Sequence, residues 1–264
     1  MKIQYTQKII SRFLKDLATS KIIGEIELRL DPEALSWAHM DMSHIILVYG
    51  SIPKTAFDIY DVPTSATFLL EADDLKQALT AATPKGKKKE CPPITWEIHI
   101  IKETRTLVIS WEEDGDLQQI AIDESQSDKE DQIDLGVLFT QKYSHTIGLS
   151  FPQFKRLINR SVGGSTVDFS LNDGKLFEKV ADHSWYHQTY SLKYEGNQAP
   201  LPDAGTFAVP FLRSAMKLFP PTETIELKLK SDTPLLGNVV YPNGAEIGFC
   251  LAPRVKDEED DDNE

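Results

Sequence analysis

Residues 38–48 read AHMDMSHIILV, and two incompatible readings meet in them. His39 and His44 flank Asp41, a donor set that a metal site would use. Met40, Met42 and the run Ile45–Val48 are instead what an apolar strand with a pliable surface would carry. No third ligand set stands nearby, so the metal reading has nothing to complete it. The same holds for His183 and His187 in HSWYH. They have the i, i+4 spacing of zinc-binding helices, but their context is strand-like and aromatic and lacks the accompanying Glu. The stretch therefore reads as a strand followed by a polar turn, with Asp41–His44 facing solvent. No metal or cofactor is expected.

Outward from this stretch, strand patterns dominate. ITWEIHI (94–100), TLVISW (106–111), TVDFSL (166–171), TIELKLK (224–230) and AEIGFCL (245–251) alternate apolar with polar residues, as strands wet on one face do. Helical spacing appears in four short segments: KIISRFLKDL (8–17), DLKQALTAA (74–82), QFKRLINRS (153–161) and FLRSAMKLF (211–219). Each half of the chain runs helix, strands, helix, strands. This weak repeat predicts an α+β protein of two similar domains, each an antiparallel sheet with two short helices. The expected division is a first domain over 1–121, a connector over 122–144, a second domain over 145–256 and an acidic tail over 257–264. The second part of the connector, IDLGVLF, is more apolar than a linker requires. PKGKKKECPP (84–93) reads as a loop carrying a basic cluster, Lys85–Lys89.

The chain has 264 residues and a net charge of −13, from 41 acidic and 28 basic side chains. No apolar run approaches the roughly 18 residues a membrane-spanning helix needs, and the N-terminus is too polar for a signal peptide core. Two cysteines make no disulfide framework. An intracellular protein is expected, with no membrane association.

Its cations are not spread evenly. Lys8, Arg12 and Lys15 share one face of the first helical segment, and Lys76 lies on the second. Lys155, Arg156 and Arg160 lie on the third, Arg213 and Lys217 on the fourth. These nine stand against two acids in the same segments, Asp16 and Asp74. In an acidic chain, a face chosen for solubility alone would mix the signs. The pattern points to a polyanion. Lys and Arg among Ser, Asn and Gln suit phosphate contact without base readout. The absence of aromatics on the polar faces argues for duplex over single strand.

With these residues in view, the chain resembles the DNA sliding clamps of eukaryotes, archaea and some viruses, whose type member is proliferating cell nuclear antigen. LSWAHMDMSHIILV (35–48) resembles the family's signature around Met-Asp-x-Ser-His. SDTPLLGNVVYPNGAEIGFCLAPRVKDEE (231–259) resembles its C-terminal signature, and LRSAMKLFPPTETIELKL (212–229) fits the helix and strand before it. The resemblance runs over essentially the whole length. It implies a non-enzymatic ring of three subunits, a homotrimer, with helices lining a hole around double-stranded DNA. The nine basic residues would then face the duplex, and a DNA polymerase, a clamp loader and other replication or repair proteins would dock outside through short peptides. The compartment would be the nucleus in a eukaryote, the cytoplasm or nucleoid in an archaeon, and the replication site for a virus.

Carried over residue by residue, the docking surface comprises Met40, His44, Ile45 and Leu47, then Leu135 and Val137 of the connector, and Pro234, Leu251, Ala252 and Pro253. The resemblance also implies edge strands that pair between subunits. These are assigned to Leu107, Val108, Ile109 and Trp111 on one side and Leu176, Phe177 and Lys179 on the other. There are departures. Phe249-Cys250 replaces the usual aromatic pair, the connector lacks the usual Pro after Leu135-Gly136, and Asn172 stands where eukaryotic members carry a modified lysine, with Lys175 nearby. Two other readings compete. One is a specialised or checkpoint-type subunit of a mixed ring. The other is a metal-dependent nuclease using Glu71, Asp73 and Asp74, or Asp114 and Asp116, although capping and turn formation account for those carboxylates.

Overall fold

The computed structural model describes residues 1–7, 10, 24–41, 43–83, 90–101, 104–125, 140–160, 164–181, 187–196, 199–219 and 223–254. The chain divides by its contacts into two units, Met1–Thr140 with Val240–Gly248, and Gln141–Val239 with Phe249–Glu264. The class is α+β: sheet-rich, with a few short helices.

In the first unit the strands are β1 (Lys2–Gln7), β2 (Glu25–Asp31), β3 (Ala34–Met40), β4 (Ile46–Pro53), β5 (Ile59–Asp61) and β6 (Ala66–Glu71). Helix α1 (Ala72–Ala82) follows, then β7 (Glu90–Ile101), β8 (Thr104–Glu113) and β9 (Asp116–Asp123). One sheet has the order β5-β1-β7-β8-β9, and β6-β2-β3-β4 run side by side in another, all described pairs antiparallel. Strand β2, which none of the alternating stretches quoted above includes, hides Ile26, Leu28 and Leu30 and turns Glu25, Glu27 and Arg29 outward. Tyr5 meets Phe57 and Trp96 edge-on in the core. Opposite Trp37, Gly50 is a requirement of packing. A Cβ there would lie 2.1 Å from an indole carbon.

In the second unit the strands are β10 (His145–Ser150), β11 (Thr166–Asn172), β12 (Lys175–Ala181), β13 (His187–Lys193), β14 (Glu195–Gly196), β15 (Leu201–Ala208), β16 (Thr224–Leu229) and β17 (Leu235–Val240). Helix α2 (Phe151–Arg160) follows β10 and α3 (Val209–Met216) follows β15; β18 (Glu246–Leu251) comes last. One sheet has the order β13-β12-β11-β15, and β14-β10-β16-β17 neighbour one another in a second. Under α2, Phe154, Phe219 and Phe249 form a ring cluster with centroids 5.9–6.5 Å apart. The hairpins β8–β9 and β11–β12 turn on Asp114-Gly115 and Asp173-Gly174, with positive φ at all four residues. That is the two-residue turn whose twist matches the flanking strands.

Two expectations are corrected by the sheet order. Leu107–Trp111 lies on β8, which pairs with β7 on one side and β9 on the other. Leu176–Ala181 lies on β12, which pairs with both β11 and β13. Neither is an edge, so neither has backbone groups left for another subunit. The edges are one strand further out, at β9 and β13. Of the four helical segments, the first lies outside the described residues except for Ile10, which is helical and buried.

Candidate nucleic-acid and partner surfaces

Helix α2 buries Phe154, Leu157 and Ile158 and turns Lys155, Arg156 and Asn159 to solvent, with Arg160 half-exposed at its last turn. A basic residue in the last turn also meets the negative end of the helix dipole. Beside it, α3 buries Val209, Leu212 and Ala215, leaving Arg213 half-exposed and Lys217 exposed just past its end. Five of the nine predicted cations thus lie on two adjacent helices of one unit, and no acidic side chain occurs in either helix. Lys155, Arg156 and Lys217 have no carboxylate within ion-pair distance among the described residues.

Helix α1 departs from the expectation. Its buried stripe is Ala72, Leu75, Ala78, Leu79 and Ala82, and its wet face carries Asp73, Asp74, Gln77 and Thr80. Lys76 is half-buried, with Nζ 4.0 Å from Asp73 Oδ1. The helix begins two residues before the predicted segment and so gains Asp73, and its face is not basic. Lys8, Arg12 and Lys15 lie outside the described residues.

Of the carboxylates considered for a nuclease, Glu71 precedes α1 but makes no side-chain capping bond. Asp73 and Asp74 occupy the first turn of α1, where negative charge is favoured. Asp114 occupies a left-handed turn position, and Asp116 starts β9. Among the described residues no three His, Cys, Asp or Glu side chains converge as metal ligands.

The turn after β3 is built differently from the expectation. Asp41 is buried, 7% exposed, and its carboxylate points inward. Oδ1 accepts the backbone N–H groups of Ile45 and Ile46, each at 2.7 Å, and Oδ2 accepts that of Ser43 at 3.1 Å. His44 donates its N–H to the Asp41 carbonyl and takes a φ of 56°, which leaves its ring exposed. Asp41 is thus a loop staple, its carboxylate held by three backbone donors. The sequence signal for this was the Asp-x-Ser spacing of an Asx turn.

The docking candidates divide by accessibility. Met40, Ile45, Pro234, Ala252 and Pro253 are half-exposed, and His44 is exposed. Leu47 and Leu251 are not available: they are 3% and 0% exposed, because β4 and β18 are covered on both faces. Leu47 is the direct cross-strand neighbour of Met40, beside it on the same face of the sheet. Phe249 and Cys250 are core as well. Burial pushes the Cys250 thiol up to about 11, which keeps it protonated and inert, and the nearby Tyr143 phenol up to about 12. Leu135 and Val137 lie outside the described residues. Pro253 packs 3.7 Å from the place a Cβ would take on Gly205, and Arg254 donates its N–H to the Thr206 carbonyl at 2.8 Å.

A chain of two α+β units, sheet-rich and carrying cations on short helices, has the fold of a sliding clamp. It aligns with PCNA from Thermococcus kodakaraensis at a TM-score of 0.76, covering 96% of this chain and 99% of that one with 15% identity. It also aligns with the PCNA2–PCNA3 complex from Sulfolobus tokodaii at a TM-score of 0.74, covering 97% and 100% with 16% identity. The fold is therefore that of the PCNA-type clamp. No family model matches the sequence.

Proposed function

We propose that this chain is one subunit of a ring that encircles duplex DNA and tethers a DNA polymerase and other replication or repair enzymes. The observation that carries the reading is the cationic face of α2 and α3, five basic residues with no acid in either helix, in a chain of net charge −13. Lys and Arg on rigid helices hold phosphates without selecting bases. The acidic excess elsewhere opposes adsorption of DNA to the rest of the surface. Weak, mobile contacts inside an enclosing ring suit sliding, so enclosure, not static affinity, holds the DNA. The clamp catalyses no reaction in this reading.

The two sheet edges support closure of such a ring. Strand β9 presents Leu117, 68% exposed, with the exposed carboxylates of Asp116 and Asp123. Strand β13 ends on the exposed Lys193. The acidic margin of β9 and Lys193 of β13 are complementary head to tail, and a heterologous contact of that kind closes into a ring when the rotation allows. Pairing also removes two edges that would otherwise template aggregation.

Native mass measurement on the pure chain tests this. A species of about three times the 29.7 kDa chain is expected. A monomer at all concentrations would contradict the homotrimer. It would select the second reading, one subunit of a mixed ring, which the likeness to a complex of two different clamp chains favours.

A further inference from the structure

Outside the helices, the outer face of the sheet β13-β12-β11-β15 carries a second concentration of positive charge. Lys175, Phe177 and Lys179 project from one side of β12, opposite the buried Leu176, Glu178 and Val180. The register sets Lys193 beside Lys175, and Ser170 and Ser191 on either side of Phe177. Gln153 of α2 donates to the Lys193 carbonyl at 3.1 Å and fixes that end of β13. None of the three lysines has a carboxylate within ion-pair distance among the described residues. Asp168, opposite Lys179, is an acid on this face, and Asp203 on β15 is exposed as well. Asp168 is engaged by the Thr206 hydroxyl, which donates to it at 2.5 Å.

Arg254, the last of the described residues, is held on the same sheet. Arg254 is bonded to Thr206 of β15, and the register runs from Thr206 to Asp168 to Lys179. Two strand spacings separate β15 from β12, about 10 Å. Ten residues follow Arg254, and seven of the last eight, 257–264, are acidic. Extended, ten residues reach about 33 Å, which covers the whole patch. Tethering at that range keeps the acidic segment at about millimolar effective concentration over the lysines, above that of an external competitor.

We propose that the acidic segment Asp257–Glu264 docks on the lysine face formed by Lys175, Lys179 and Lys193 around Phe177. The tail is then an intramolecular polyanion that covers this cationic patch and keeps external polyanions from it. The contact is electrostatic and salt-labile. It involves no DNA; Lys193 lies on the β13 edge offered above for ring closure, and Lys175 and Lys179, on the inner strand β12, report the tail apart from that contact.

The test compares the full chain with a chain ending at Lys256, by mass-spectrometric rates of lysine acylation. At low salt Lys175, Lys179 and Lys193 of the full chain are expected to react about 3-fold more slowly than in the shortened chain, the protection a few screened surface ion pairs supply. Lys54 should react equally in both. High salt should erase the difference, and the free peptide of residues 257–264 should restore protection to the shortened chain. Equal rates at low salt would overturn the proposal. So would protection that follows protein concentration and not the tail, since a second copy would then be the occupant.

Discussion

A chain carrying Lys155→Glu, Arg156→Glu and Lys217→Glu is expected to bind duplex DNA at low salt about 100-fold or more weakly than the parent, and to remain folded. Each phosphate contact contributes roughly 0.9 to the slope of log affinity against log salt. Removing three should lower that slope by about 2.7 and cost two to three orders of magnitude at about 50 mM salt. Reversal of sign adds repulsion. Stability should change by about 0.5 kcal/mol or less for each exposed site, because all three side chains are exposed and have no carboxylate within ion-pair distance among the described residues. Titration of a labelled duplex at several salt concentrations reads both quantities. An unchanged slope would remove α2 and α3 from the DNA-facing surface. The same substitutions should depress polymerase stimulation on a primed circular template.

The second large effect concerns docking. Ile45 is half-exposed at the turn that Asp41 staples, beside the accessible Met40 and His44. Replacing Ile45 by Asp puts a charge where an aliphatic or aromatic anchor of a partner peptide would rest. A hot-spot position costs at least about 2 kcal/mol on truncation, roughly 30-fold in affinity. Calorimetric titration with a polymerase-derived peptide should show that loss with the melting temperature held. Undiminished binding would place the docking surface elsewhere. Leu47 is a poor choice for this experiment. It is buried, and Leu47→Ala is expected to destabilise the fold by about 2–5 kcal/mol through the cavity it leaves. A loss of binding there would report folding, not contact.

The two positions show what a linear reading can and cannot see. Period-two alternation locates β7, β8, β11, β16 and β18, and helical spacing locates α2 and α3, because both patterns are local. Neighbour order is not local. Nothing in residues 106–111 or 176–181 says whether the strand is at a margin or one place in, so a linear reading puts the edges at β8 and β12, whereas the sheet order has them at β9 and β13. Strand β9 had been hidden by its composition: DLQQIAID is too polar to read as a strand, since an edge with one wet face needs few apolar residues.

Burial on both faces is equally silent. Met40 and Leu47 look equivalent in the chain, yet one is half-exposed and the other is buried. Asp41 looks like a solvent-facing acid, although three backbone donors hold it inward. The return of Val240–Gly248 to the first unit is likewise beyond a reading that moves from one end of the chain to the other. The basic character of α2 and α3 was legible because it depends on residue type and helical phase alone. That of α1 was misjudged because the helix starts early enough to include Asp73.

The central claim is that basic helices line an opening closed around duplex DNA. It is tested most directly by loading the protein on a nicked duplex circle, washing at high salt, and cutting the circle once. Retention on the intact circle with release on linearisation is the predicted result. Equal retention on circular and linear DNA would mean that surface affinity holds the protein, and would contradict the account.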